Sequence, residues 1–143
     1  MDAKRLAEFD RAYLQIAHTW STLSRARRKQ VGCIVVKDGS IISDGFNGTP
    51  SGFDNNCEYE TRFGYETRVE VLHAESNAIT KLAKSTVSSQ GATMYITISP
   101  CMDCAKLIIQ AGIKRVVYGD IYRSTAGVEL LEKASIITEE IKL

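Results

Sequence analysis

An excess of one charge and a long apolar run are both missing from this sequence. Its 18 lysine and arginine residues stand against 17 aspartate and glutamate residues, which gives a formal net charge of +1. This balance argues against a strongly electrostatic partner such as bulk nucleic acid. No apolar run is long enough to span a bilayer, and the segment "MDAKRLAEFD" lacks the apolar stretch of a secretion signal. We therefore expect a cytoplasmic protein without a membrane partner.

Cysteine is also scarce, with four residues in a chain of 143. That length predicts a single domain, residues 1–143, with a hydrophobic core of its own. In a reducing compartment, cysteines are metal ligands or core residues more often than disulfides. Cys33 lies in an apolar run and is expected to pack as a small hydrophobe. Cys57, in a polar stretch, is open to three interpretations: a free thiol, a second metal site or a subunit contact.

The spacing of apolar residues predicts alternating helices and strands. Residues 1–24 show the three-and-four spacing of an amphipathic helix, and two β-rich runs flank the turn at Asp38-Gly39. Residues 47–71 have no clean period and are expected to form a long irregular loop. Further helices are predicted over 73–84, 101–112 and 127–134, and further strands over 93–99, 114–119 and 135–141. This order indicates an α/β fold with helices on both faces of a mixed, mostly parallel sheet.

A histidine and two cysteines have the spacing of a zinc site. Cys101 and Cys104 are three residues apart at a helix start, where they face the same side, and His73 opens another helix. Helix N-termini carry partial positive charge and stabilise thiolates. Three protein ligands leave one position of a tetrahedral Zn²⁺ open, which is typical of a catalytic site. The alternative is a structural zinc site completed by Cys33 or Cys57.

Glu75 lies two residues after His73 and is the candidate catalytic acid–base. A carboxylate beside a metal site can accept a proton from water and deliver it to a reacting nitrogen. A structural zinc site has no use for such a residue. The sequence therefore favours a zinc centre that performs chemistry.

The segments "GFNGTPSG", "HAESNAI" and "PCMDCAKLIIQAGIKRVVY" resemble the deoxycytidylate deaminases, a branch of the zinc-dependent cytidine deaminase superfamily. The combination H-x-E with P-C-x-x-C is the signature of zinc deaminases. The resemblance implies a three-layer α/β/α cytidine deaminase-like fold with a five-stranded sheet, and commonly a homo-hexamer. It also implies hydrolysis of dCMP to dUMP and ammonia by a zinc-bound hydroxide, a reaction that feeds dTMP synthesis.

The same resemblance assigns the substrate contacts. Asn47 is expected to bind the sugar or base, and the backbone N–H of Ala74 to hold the pyrimidine carbonyl. Candidate phosphate contacts are Arg25, Arg28, Tyr122 and Arg123.

The resemblance further implies an effector site in the "GFNG" loop. There dCTP, with Mg²⁺, would activate and dTTP would inhibit. The loop residues are Gly45, Phe46, Asn47 and Gly48.

Two other functions remain open from the sequence. A nucleic-acid deaminase of the tRNA adenosine type shares the zinc residues and the fold, although such proteins usually carry an extended basic face. A zinc-stabilised binding module without enzymatic activity is the second alternative, and in it Glu75 would have no role. Ammonia release from dCMP separates these alternatives.

Overall fold

The computed structural model describes all 143 residues, which form four helices and seven strands. The helices are α1 (Ala3–Ser21), α2 (Ala74–Ala83), α3 (Met102–Gln110) and α4 (Ala126–Lys133). The strands are β1 (Gly32–Lys37), β2 (Ser40–Phe46), β3 (Glu58–Thr61), β4 (Gly64–Thr67), β5 (Thr93–Ile98), β6 (Arg115–Asp120) and β7 (Ile137–Glu140). No helix has the length and apolar character needed to cross a membrane.

Five of the strands form one mixed sheet in the order β2-β1-β5-β6-β7. β1 pairs antiparallel with both β2 and β5, whereas β5, β6 and β7 pair in parallel. Only β1 therefore runs against the direction of the other four strands. The predicted five-stranded, mostly parallel sheet is confirmed.

Helices cover both faces of this sheet. Neighbouring residues of each strand point to opposite sides, and the buried strands carry apolar side chains on both sides. On one face, Ile34 and Tyr95 pack against Leu14 and Ala17 of α1. On the other face lies the larger core, to which α2, α3 and α4 contribute Ala78, Ile108 and Leu131. Cys33 is fully buried in that core, as predicted. The three-layer arrangement places α2 and α3 side by side on one face.

The prediction of an irregular loop over residues 47–71 was wrong in part. Strands β3 and β4 form a separate antiparallel hairpin within that segment, with Gly64 at a φ of +121° in the turn. The hairpin is largely exposed, and its strands carry polar and aromatic side chains rather than an apolar face. It lacks the period-two apolar pattern from which half-buried strands are predicted.

Candidate active site

The first residues of α2 and α3 bring the predicted metal ligands together. His73 is the N-cap of α2 and Cys101 is the N-cap of α3, and both have extended backbone angles. Neither side chain makes the usual capping hydrogen bond to its own helix. Both side chains are therefore free to point towards a shared centre. Cys104 joins them from the first turn of α3.

The three donor atoms lie close enough together to share one zinc ion. His73 Nδ1 lies 3.2 Å from Cys104 Sγ and 3.5 Å from Cys101 Sγ. All three atoms lie within 4.8 Å of one another. Bonds of about 2.0–2.3 Å at tetrahedral angles put neighbouring ligand atoms about 3.5–3.8 Å apart. The group fits Zn²⁺ with three donors, and neither Cys33 nor Cys57 belongs to it.

The electrostatics of the group favour a thiolate at Cys101. Hydrogen bonds from the Cys104 thiol and the His73 imidazole lower the pKa of Cys101 to about 4. Because its thiol donates to Cys101, Cys104 has a pKa raised above its usual range. One sulfur is thus ready to bind a metal cation at neutral pH. The second becomes a thiolate when the cation replaces the shared proton.

Glu75 lies beside this group in the first turn of α2. Its side chain is only 4% exposed, and burial raises its pKa to about 7. It lines the same pocket as His73 and Cys101 but is not one of the three clustered donors. Glu75 is therefore placed to exchange protons near neutral pH without occupying the metal site.

The pocket in front of these residues has a volume of about 460 Å³. Five of the predicted substrate residues line it: Arg28, Asn47, Ala74, Tyr122 and Arg123. Arg25 is exposed and does not line the pocket, so the structure does not place it with the other phosphate candidates. The pocket is also lined by Lys29, Glu58 and Thr67, which the sequence did not single out for the site. Lys29 directly follows Arg28 in the basic run "RARRK" at residues 25–29, and the charge of that run is the sequence signal that points to Lys29.

Asn47 uses its side-chain amide to hold the chain that borders the pocket. Its Oδ1 accepts a hydrogen bond of 2.9 Å from the Val31 N–H, and its Nδ2 donates one of 2.8 Å to the Lys29 carbonyl. Each end of the amide keeps one further hydrogen-bonding position. These positions leave the amide one donor and one acceptor for the expected contact with sugar or base.

The glycines of the "GFNG" segment have different surroundings. A Cβ at Gly45 would lie 2.4 Å from the carbonyl oxygen of Ala74, so glycine is needed for β2 to approach α2. A Cβ at Gly48 would meet no atom within 4 Å. Close helix packing accounts for Gly45 without any ligand. None of Gly45, Phe46 and Gly48 lines the catalytic pocket.

A second close approach joins α4 to the main chain that carries Cys101. A Cβ at Gly127, near the start of α4, would lie 2.1 Å from the carbonyl oxygen of Pro100 and 2.8 Å from that of Cys101. Gly127 is buried, and α4 packs directly on the main chain that carries Cys101. The position of this donor therefore depends on the docking of α4.

Three candidate metal ligands and a buried acid at two helix starts are the arrangement of a catalytic rather than a structural zinc centre. Comparison with known proteins identifies the family of this chain. The family model of the cytidine and deoxycytidylate deaminase zinc-binding region matches residues 7–120. The chain belongs to this family of zinc-dependent deaminases, and the family predicted from the sequence is confirmed.

Individual relatives agree with the family. The deoxycytidylate deaminase of Enterobacteria phage T4 is 36% identical over 147 aligned positions, covering 76% of this chain and 76% of that protein. The human deoxycytidylate deaminase is 35% identical and covers 78% of this chain and 64% of that protein.

A solved structure matches almost the whole chain. It is the dCMP deaminase of cyanophage S-TIM5 in complex with dCMP and dUMP, with a TM-score of 0.89 and 44% identity. The match covers 99% of both chains. The fold of the present chain is therefore that of a dCMP deaminase over nearly its full length.

Proposed function

We propose that this chain catalyses the hydrolytic deamination of dCMP to dUMP and ammonia. The observation that carries the proposal is the meeting of His73, Cys101 and Cys104 beside the buried Glu75, in a pocket also lined by basic side chains. A pocket lined by both an acid–base group and cationic side chains suits a nucleoside monophosphate. The names of the similar phage and human proteins support the same reaction.

His73, Cys101 and Cys104 are the proposed zinc ligands, and Glu75 is the proposed catalytic residue. A zinc ion held by these three residues would act as a Lewis acid and would make a bound water molecule acidic enough to react near neutral pH. Glu75 accepts a proton from that water and passes it to N3 of the cytosine while the water oxygen bonds to C4. It then takes the proton of the new hydroxyl group on C4 and delivers it to the amine, which leaves as ammonia. Its pKa of about 7 suits a group that must both take and release a proton.

The substrate contacts in the proposal are residues that line the pocket. Ala74 is the first residue of α2, so its N–H has no acceptor within the helix and is available for the pyrimidine carbonyl. Arg28 and Arg123 are the proposed phosphate contacts, with Tyr122 beside them. The guanidinium of Arg123 lies 5.4 Å from the Tyr122 ring centre, which keeps these two side chains together.

The wider proposal concerns assembly, location and control. We treat residues 1–143 as one catalytic domain, because two cores share one sheet. Helix α3 exposes two apolar side chains, Met102 and Leu107, and this supports a homo-oligomer. The family resemblance implies that the oligomer is a hexamer. A reducing compartment such as the cytoplasm keeps Cys101 and Cys104 available as thiolates.

Regulation by dCTP with Mg²⁺ and by dTTP is proposed from the resemblance of the "GFNG" loop alone. Gly48 is the glycine of this loop that has open space around it, so it is the one that a triphosphate can approach closely. The measurement is a dCMP titration with and without each effector. Sigmoidal curves that become hyperbolic with dCTP and Mg²⁺ are expected.

A panel assay tests the proposed reaction. Ammonia release by the zinc-loaded protein is measured with cytosine, deoxycytidine, dCMP, dCTP and a tRNA anticodon stem. We expect the highest kcat/KM with dCMP. Preferred turnover of the tRNA stem would instead indicate a nucleic-acid deaminase, and absence of turnover with every compound would refute the proposal.

A further inference from the structure

The basic segment between α1 and β1 depends on side chains for its shape. Residues 25–30 take part in no backbone–backbone hydrogen bond. The Ala26 N–H donates to the Ser24 hydroxyl, and Asn47 holds the segment at Lys29. The amides of Arg27 and Arg28 donate to Glu58, the first residue of β3. Side chains from three separate parts of the chain therefore fix this segment.

Glu58 makes the largest of these contributions. The Arg27 N–H lies 3.2 Å from Oε1 and 3.0 Å from Oε2, and the Arg28 N–H lies 3.3 Å from Oε2. The side chain of Glu58 is buried, with 2% of its surface exposed. No lysine or arginine side chain forms an ion pair with it. Burying a carboxylate costs free energy unless the carboxylate is hydrogen-bonded. The hydrogen bonds from these two amides offset that cost.

The side chains of the same segment reach the hairpin and the pocket. The Arg27 guanidinium lies 4.8 Å from the ring centre of Tyr65, and Arg28 Nη1 lies 3.4 Å from Thr67 Oγ1. Arg28 also lines the catalytic pocket together with Glu58 itself. The hairpin thus supports the segment at its main chain and at two side chains. The direction in which Arg28 points depends on where its own amide is held.

We propose that Glu58 is a positioning residue that sets the preference of the enzyme for a nucleotide over a nucleoside. By holding the amides of Arg27 and Arg28, it keeps the Arg28 guanidinium at the place where a substrate phosphate binds. Glu58 acts through Arg28 and takes no part in the proton transfers at Glu75. This inference rests on the proposed function, because the preference concerns dCMP against deoxycytidine.

The variant Glu58→Gln tests this role. Glutamine keeps the shape but has no charge and only one acceptor oxygen in place of two, so its hydrogen bonds to the two amides are weaker. We expect the ratio of kcat/KM for dCMP to that for deoxycytidine to fall roughly tenfold, through a higher KM for dCMP at nearly unchanged kcat. The matched control is Glu60→Gln, an exposed carboxylate on the same strand. It should leave the ratio at the value of the parent.

A second measurement does not depend on activity. Hydrogen exchange of the Arg27 and Arg28 amides should be faster in the zinc-loaded Glu58→Gln protein, whereas amides of β5 should exchange as in the parent. An equal loss of activity with dCMP and deoxycytidine, or unchanged exchange at both amides, overturns the proposal. If Glu58→Gln does not fold, Glu58→Asp keeps the charge, shortens the reach and is held to the same two criteria. A parent protein inactive on dCMP would refute the proposed function and with it the role of Glu58 in substrate preference, whereas unchanged exchange with an active parent would refute the role of Glu58 alone.

Discussion

Replacing Glu75 by glutamine is the sharpest test of the catalytic assignment. The side chain is 4% exposed and lies outside the group of three metal donors, so an isosteric glutamine should leave packing and zinc content intact. What the variant loses is a group whose pKa of about 7 lets it carry protons at neutral pH. Loss of a general acid–base typically lowers kcat by about 10²–10⁴. This corresponds to a barrier higher by about 2.7–5.5 kcal/mol.

The assay needs two readings on each protein. Zinc is measured by plasma mass spectrometry, and dUMP formed from saturating dCMP is measured by chromatography. Glu129→Gln, which neutralises an exposed carboxylate on α4, is the control and should match the parent in both readings. The assignment of Glu75 is refuted if the variant keeps full zinc and its kcat stays within about tenfold of the parent.

The other predictions concern the metal, the phosphate and the packing of α2. Cys101→Ala should lose bound zinc and much of its thermal stability, because metal binding joins two helix starts; full zinc content by plasma spectrometry would show that the ligand set is wrong. Arg28→Ala should raise the KM for dCMP roughly ten- to a hundredfold but not that for deoxycytidine, whereas Arg25→Ala, outside the pocket, should change neither. Equal steady-state effects of the two arginine variants would contradict the geometry. Gly45→Ala should lower the free energy of unfolding by about 1–3 kcal/mol in urea. Gly48→Ala, at a position with open space around it, should leave that free energy unchanged. Equal stabilities of the two variants would show that the contact of Gly45 with Ala74 is not tight.

The meeting of the three candidate zinc ligands could be predicted from the sequence, because the residues of each helix start lie close together in the chain. Cys101 and Cys104 are three residues apart on one helix, and Glu75 is two residues from His73 on another. Helical geometry fixes each pair, and only one long-range contact had to be guessed. The sheet followed in the same way from the alternation of helices and strands.

The residues that shape the rest of the pocket could not be predicted, because they contact residues that are far away in the sequence. Glu58 and Arg27 are 31 positions apart, and no sequence pattern says that a carboxylate in a polar segment binds distant amides. The hairpin that begins with Glu58 also lacks an apolar face. Asn47 was predicted as a substrate contact, but its bonds to Lys29 and Val31 became visible only in three dimensions.

The close approach of Gly127 to Pro100 and Cys101 ties the candidate metal site to a helix that is synthesised after all three of its donors. All three donors lie between residues 73 and 104, so they leave the ribosome before α4 does. Until residues 126–133 have docked, the main chain at Cys101 lacks the helix that packs against it. A nascent chain interrupted before that point carries every zinc-binding residue but not the support that positions one of them. We therefore expect zinc retention to depend on the docking of α4, and not only on the presence of the three candidate ligands.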